Sequence, residues 1–304
     1  MSPDSIKGAA LAVLLLTACG PSPPPAPSVA EHLQSVEQWS AGRIAELRQP
    51  DGWLSLVGLY WLRPGINGFG SDAANPLVYP AAYVPPQIGD FVLESDSVRF
   101  IAAKGVVVTH DGAPITSAVM KYAGESPTLL RSGSLEWLII RRGDRLAVRA
   151  RDTLSAVRTG FGGIDRYPVS IDWRFAARFS AHEPADTIEV PNVLGTVNHT
   201  ASPGTVAFEY AGKKYNLRLW KDSDDPVNFF TAFADRTNGG ATYGGGRFLW
   251  VDAPDADGWT VVDFNRAYNP PCVFTEYATC PLPPRENRLP FAVDAGEKMF
   301  GVGH

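Results

Sequence analysis

Ile171-Asp172-Trp173-Arg174-Phe175-Ala176-Ala177-Arg178-Phe179 sets an apolar side chain at every odd position and a polar or small one between. Successive side chains on a pleated strand point to opposite sides, so a period of two marks a strand with one buried face. The same reading extends in both directions. Residues 135–141 and 145–149 flank Arg142-Gly143-Asp144, and residues 205–210 and 215–220 flank Ala211-Gly212-Lys213-Lys214. Both interruptions have hairpin length. Further short strands are expected over 77–79, 91–94, 97–102, 106–109, 229–234, 247–251 and 259–264. After Phe264 the chain becomes irregular and rich in proline.

Composition agrees. The 304 residues include 29 Gly, 26 Pro and 11% aromatics, a mixture that favours turns and strands over helical bundles. Apolar residues make up 45% and charged residues 19%, so a sizeable core can be buried. The formal net charge is -5, from 27 basic and 32 acidic side chains. With no basic excess and no Lys/Arg run, no nucleic-acid partner is expected.

One helix stands out before the strands. Ser28 and Glu31 have capping-box spacing. Leu33, Val36, Ser40, Ile44 and Leu47 fall near one face with Trp39 beside it, and Pro50 stops the pattern. The expected fold is therefore mainly β, barrel-like or built as two β-subdomains, with one amino-terminal α-helix. The helix and a first β-subdomain would occupy 29–185. A second β-subdomain with a Pro-rich carboxy-terminal loop would occupy 186–304, unless the two form one domain.

The first residues carry an address. Lys7 precedes the apolar run Ala9-Ala10-Leu11-Ala12-Val13-Leu14-Leu15-Leu16, too short to span a bilayer but suited to a signal peptide. Leu16-Thr17-Ala18-Cys19 resembles the bacterial lipobox. That resemblance implies a signal peptide over 1–18, lipidation of Cys19, and membrane attachment through the lipid. Residues 19–28 would form the anchor and a Pro-rich extended spacer. Gly20 is not the aspartate that retains many lipoproteins in the inner membrane. The resemblance thus implies the outer membrane, facing the periplasm, in a cell that has one.

Three further segments are similar to the DUF1684 family of uncharacterised bacterial and archaeal proteins. The first is Asp51-Gly52-Trp53-Leu54-Ser55-Leu56-Val57-Gly58-Leu59-Tyr60-Trp61-Leu62. The second is Thr242-Tyr243-Gly244-Gly245-Gly246-Arg247-Phe248-Leu249, preceded by Phe233 and Asp235. The third runs from Val262-Asp263-Phe264-Asn265-Arg266-Ala267-Tyr268-Asn269-Pro270-Pro271-Cys272 through Cys280 to Glu286-Asn287-Arg288-Leu289-Pro290. The resemblance supplies a family and no mechanism.

Familiar catalytic patterns are absent: there is no Gly-x-Ser-x-Gly elbow, no His-Glu-x-x-His and no Walker loop. The five histidines, at 32, 110, 182, 199 and 304, show no metal-ligand spacing. No metal and no cofactor are expected. His32 and His304 read as structural or solvated.

Candidate ligand-binding residues are Tyr243, Arg247, Asp263, Asn265, Arg266, Tyr268, Asn269, Asn287 and Arg288. The three glycines before Arg247 either bring backbone N–H groups close to a ligand or form a tight turn whose arginine pairs internally. The polar cluster at 263–269 either lines a pocket or pins the carboxy-terminal loop. Asp263 and Glu286 are weak candidates for acid or base. Cys272 and Cys280 form an even pair that an oxidising compartment can join, leave as two thiols or use in redox chemistry. Three functions follow: a binder of a small polar or anionic ligand such as an envelope glycan, a hydrolase using Asp263 or Glu286, or a structural lipoprotein.

Overall fold

The computed structural model describes residues 22–79, 84–122, 126–222 and 225–301. Cys19, the signal peptide and His304 lie outside the described residues.

Helix α1 (Val29–Leu47) opens on the expected capping box: the Ser28 hydroxyl accepts from the Glu31 N–H, and the Glu31 carboxylate accepts from the Ser28 N–H. Its buried face differs from the expected stripe. His32, Val36 and Leu47 point inward, whereas Leu33 is exposed. The helix packs on a polar cluster near its start, so a histidine takes the place that an apolar residue was expected to hold.

The strands follow in chain order. β1 (Leu56–Trp61), β2 (Gly65–Gly70), β3 (Leu77–Val78), β4 (Gly89–Glu94), β5 (Ser97–Ala102), β6 (Val108–His110), β7 (Ala113–Ile115), β8 (Ser117–Val119), β9 (Leu130–Ser132), β10 (Leu135–Arg142) and β11 (Arg145–Asp152) build two sheets. One runs β1-β11-β10-β9-β6-β7, the other β3-β2-β4-β5-β8. They face each other across a shared core. Phe69, Phe91 and Phe100 from one meet Trp137, Ile139 and Val148 from the other. The rings of Phe69 and Trp137 contact edge-on at 5.6 Å, a geometry favoured by the aromatic quadrupole.

A short helix α2 (Ala156–Thr159) leads to the third sheet. Its strands are β12 (Arg174–Pro191), β13 (Val197–Tyr210), β14 (Lys213–Asp222), β15 (Asp225–Phe233), β16 (Arg247–Val251) and β17 (Trp259–Asp263), ordered β16-β15-β14-β13-β12-β17. Ile171–Trp173 is a 3₁₀ turn rather than the start of β12. The Ser170 hydroxyl accepts from the Asp172 N–H and holds that turn. Phe175, Ala177 and Phe179 then face the core as their alternation requires.

Both faces of the third sheet are covered. One packs Phe208, Leu217, Leu249 and Phe264 against Leu289, Val293 and Ala295 of the carboxy-terminal loop. The other packs Trp220, Phe230 and Phe248 against Ala278 and Cys280. All three sheets are open, each ending on two different edge strands, so the fold is mainly β, with no closed barrel among the described residues.

Cys272 and Cys280 are joined by a disulfide with Cα atoms 6.1 Å apart. It ties down the segment that covers the second face. Replacing both by alanine is expected to lower unfolding free energy by about 2–3 kcal/mol, from the entropy of so short a loop. Urea denaturation of the double variant checks this.

Candidate functional site

The glycine-arginine segment is a clamp. Gly246 has φ +87°, and a Cβ there would meet the Pro283 ring at 2.3 Å and the Phe233 carbonyl oxygen at 2.7 Å. The tight turn is therefore packed beneath the carboxy-terminal loop. Arg247 is fully buried. It donates to the Asp235 carboxylate at 2.8 Å, to the Val293 carbonyl at 2.9 Å, and to the Ala295 carbonyl. Asp235 in turn accepts from Thr237 and from the Val293 N–H. Of the two roles open to Arg247, the internal pair is the one formed, and the fully buried guanidinium borders neither cleft. Tyr243 beside it packs in the apolar cluster of Leu47, Leu54, Phe161, Val273 and Phe274.

Asn287 and Asn269 are also fasteners. Asn287 is fully buried; it donates to the Arg218 and Ala232 carbonyls and to the Thr231 hydroxyl, and accepts from the Arg218 N–H. Asn269 is fully buried, donates to the Lys298 carbonyl at 2.7 Å, and receives Arg43 on its own carbonyl at 2.9 Å. Glu286 and Arg288 are exposed on the last 3₁₀ turn and its edge. Neither borders a described cleft, so Glu286 is not brought to Asp263.

The remaining candidates separate into two clefts. The smaller, about 340 Å³, is bordered by His32, Ser35, Arg174, Asp252, Asp263 and Arg266 among others. Asp263 is almost wholly engaged. One oxygen accepts the N–H and the amide of Asn265, and the other lies 3.8 Å from both His32 and Arg266. Asn265 is itself buried. Its amide oxygen accepts from the Ser170 N–H and its nitrogen donates to the Ser170 carbonyl, which fixes the amide's orientation. The same nitrogen faces His32 Nε2 at 3.2 Å. An amide nitrogen only donates, so a neutral His32 that turns its Nε2 lone pair towards it carries the ring proton on Nδ1, on the side of Asp263.

Burial pulls the His32 pKa below its ordinary value, the Asp263 carboxylate opposes that, and Arg174 and Arg266 reinforce it. The sign follows from linkage. The unfolded histidine takes a proton near its ordinary value of about 6.5, before the folded one does. Stability is then full above that pH and falls as pH drops through the depressed folded value. Denaturant midpoints should decline from pH 7 to 5, and His32→Gln should flatten the decline.

The larger cleft, about 820 Å³, opens where α1, the outer face of the first sheet and the second face of the third sheet meet. Trp39, Trp53, Phe230, Phe248, Trp250 and Tyr268 border it, with Arg43, Arg142 and Arg149. Arg43 donates to Glu297 and lies over the Tyr268 ring, 4.5 Å from its centroid. Arg142 donates Nε to the Thr279 hydroxyl at 2.8 Å.

Arg149 differs from both. It projects from the centre of β11, opposite Leu59 and Leu138 on the neighbouring strands. It is 7% exposed. Among the described residues it has no hydrogen-bond acceptor and no carboxylate partner, its Nε is buried unpaired, and its one polar contact is the face of Trp53 at 5.6 Å. Burial, then the charges of Arg142 and Arg151, pull its pKa down to about 10, so it remains a cation at neutral pH. Buried guanidinium groups are ordinarily paired, because an uncompensated charge is costly to bury. Trp39 and Trp250 border both clefts.

Sequence reasoning found Tyr268 and Phe248 through the family-like segments and quoted Trp53 within one of them. It passed over Arg149. The available signal was an arginine at the middle of an apolar hairpin strand, Leu146-Ala147-Val148-Arg149-Ala150. Among the described residues no group of His, Cys, Asp and Glu is placed to hold a metal ion.

The fold and cleft define a mainly β protein in which a helix and two sheets converge on an aromatic, arginine-bearing groove. Residues 159–298 match the family described as "Protein of unknown function (DUF1684)", and the chain belongs to that family. Arg149 and Trp53 lie before the matched segment, whereas Phe230, Phe248, Trp250 and Tyr268 lie within it. Among solved structures the chain is similar to a solution NMR structure of an uncharacterized protein from Haloarcula marismortui. The two are 30% identical, over 46% of this chain and 78% of that one, with a TM-score of 0.39. No curated protein matches.

Proposed function

We propose that this is a lipid-anchored protein of the cell envelope that binds a small anionic ligand with an apolar body in the larger cleft. Arg149 carries the reading. A nine-tenths buried cation without a protein partner is expensive to keep, and an anion in the cleft would offset that cost with charge-assisted hydrogen bonds. The six aromatic side chains supply a surface for an apolar body, as in concave sites where a few polar groups fix orientation. The sequence led to the expectation of a small polar or anionic ligand; this reading keeps the anion, adds an apolar body and assigns it to mostly different residues.

Titration calorimetry with benzoate and phenyl phosphate tests the binding. Saturable binding that Arg149→Met abolishes supports it; binding indifferent to that change sinks it. The anchor rests on the Leu16-Thr17-Ala18-Cys19 motif and the Pro-rich spacer. Cys19→Ala should move the protein from the membrane fraction to the soluble fraction, and an unchanged distribution would remove the anchor.

A hydrolytic reading has less support. Asp263 is held by Asn265, His32 and Arg266, and Glu286 borders neither of the two clefts.

A further inference from the structure

The free donors of the larger cleft describe the acidic group of the ligand more closely than net charge does. Every N–H of the Arg149 guanidinium is without a protein acceptor among the described residues. Arg142 borders the same cleft and commits Nε to Thr279 and Nη1 to the Arg141 carbonyl, which leaves Nη2 without a described acceptor. The acidic side chain bordering the cleft is Glu46, on the exposed surface of α1. Two cations of one strand pair, β10 and β11, thus face the cleft with no buried carboxylate between them.

A carboxylate is a poor match for this arrangement. Its two oxygens are coplanar and carry one charge, and a single guanidinium fork satisfies them. The second arginine would then gain little. A phosphate monoester has three strongly accepting oxygens in a tetrahedral array and close to two negative charges. It can take the fork of one arginine and the terminal nitrogen of the other, and its charge answers both. The aromatic lining adds a shape requirement. Arg149 stands over the ring of Trp53, and Trp39, Trp250 and Tyr268 also border the cleft, Tyr268 with Arg43 over its ring. Flat or chair-shaped rings cover such faces better than a flexible chain does.

We propose that the cleft binds the phosphate monoester of a ring compound, with the phosphate on Arg149 and Arg142 and the ring against Trp53 and its aromatic neighbours. This rests on the cleft being an anion site, and it adds the acidic group and the body attached to it. Sugar phosphates, nucleoside monophosphates and aryl phosphates share that chemistry.

The test uses the full-length protein in detergent and calorimetric titration with phenyl phosphate, glucose 6-phosphate, adenosine monophosphate, benzoate and inorganic phosphate. Phenyl phosphate is expected to bind about tenfold or more tightly than benzoate. Arg142→Gln, checked for folding by its urea midpoint, should bring that ratio to about one by weakening the phosphate and sparing the carboxylate. Trp53→Ala should weaken the ring phosphates and leave inorganic phosphate within about twofold. The ranking of the three ring phosphates separates aryl, sugar and nucleoside sources. Benzoate binding as tightly as phenyl phosphate, with both lost in Arg149→Met, would overturn the phosphate assignment while leaving an anion site. Absence of saturable binding by every probe, or binding unaffected by Arg149→Met, would overturn both.

Discussion

Arg247→Met is expected to lower the unfolding free energy by about 3–5 kcal/mol, the usual cost of stranding one half of a buried ion pair. The Arg247 and Asp235 side chains are both fully out of solvent. Removing the guanidinium leaves the carboxylate facing Thr237 and the Val293 N–H with one oxygen uncompensated. It also frees the Val293 and Ala295 carbonyls, so the carboxy-terminal loop loses its hold on Phe233 and Leu249. Asp235→Ala should cost a similar amount, and the double variant should cost less than the sum because no charge is left unpaired. Urea melts of the four proteins give the coupling directly. Additive losses would show that the pair is not the clamp. The carboxylate and phosphate probes should bind each folded variant as they bind the parent, since neither residue borders the clefts.

That arginine also shows where sequence reading reaches its limit. A Gly-rich turn ending in Arg has the same local signature whether the guanidinium meets a ligand or a carboxylate twelve positions earlier. The register that sets Phe233 opposite Arg247 decides it, and register is a pairing property that no single strand states. The strands themselves were legible, because a half-buried sheet imposes its period of two on each one. The legible part of β12 ended near Phe179, although the strand runs to Pro191. Beyond Ser180 its side chains are largely exposed up to Ile188, so no buried face imprints an alternation. His32 was legible as a helix residue. Its burial depended on Asp263 and Asn265, more than two hundred positions away.

Arg149 is the clearest case of a residue that is readable as structure and unreadable as a site. Its strand follows from the alternation of Leu146, Val148 and Ala150, which face the first core. Its lack of a partner follows from every element packed over that face: α1, the Trp53 turn, and the loop closed by the disulfide. Glu46 of α1 and Glu276 of that loop form no ion pair with it; a carboxylate within reach of the guanidinium would have made it another structural pair.

The same circumstance sets the sign of the last expected result. Arg149→Met should raise the unfolding free energy of the ligand-free protein by about 1–3 kcal/mol, since replacing an uncompensated buried charge with an apolar side chain of similar length removes its desolvation cost. The neighbours favour it: Leu59 and Leu138 flank the position and would pack against methionine. The lost stacking on Trp53 takes back about 0.5–1 kcal/mol. Added phenyl phosphate should invert the order. Binding to the native state alone stabilises the parent by about 2.7 kcal/mol at a hundred times Kd, and the variant gains nothing. Thermal melts with and without phenyl phosphate should therefore cross, the variant melting higher without it and the parent melting higher or level in its presence. A variant less stable than the parent in both conditions would mean that Arg149 is satisfied within the fold, and the cleft would lose its reason to attract an anion.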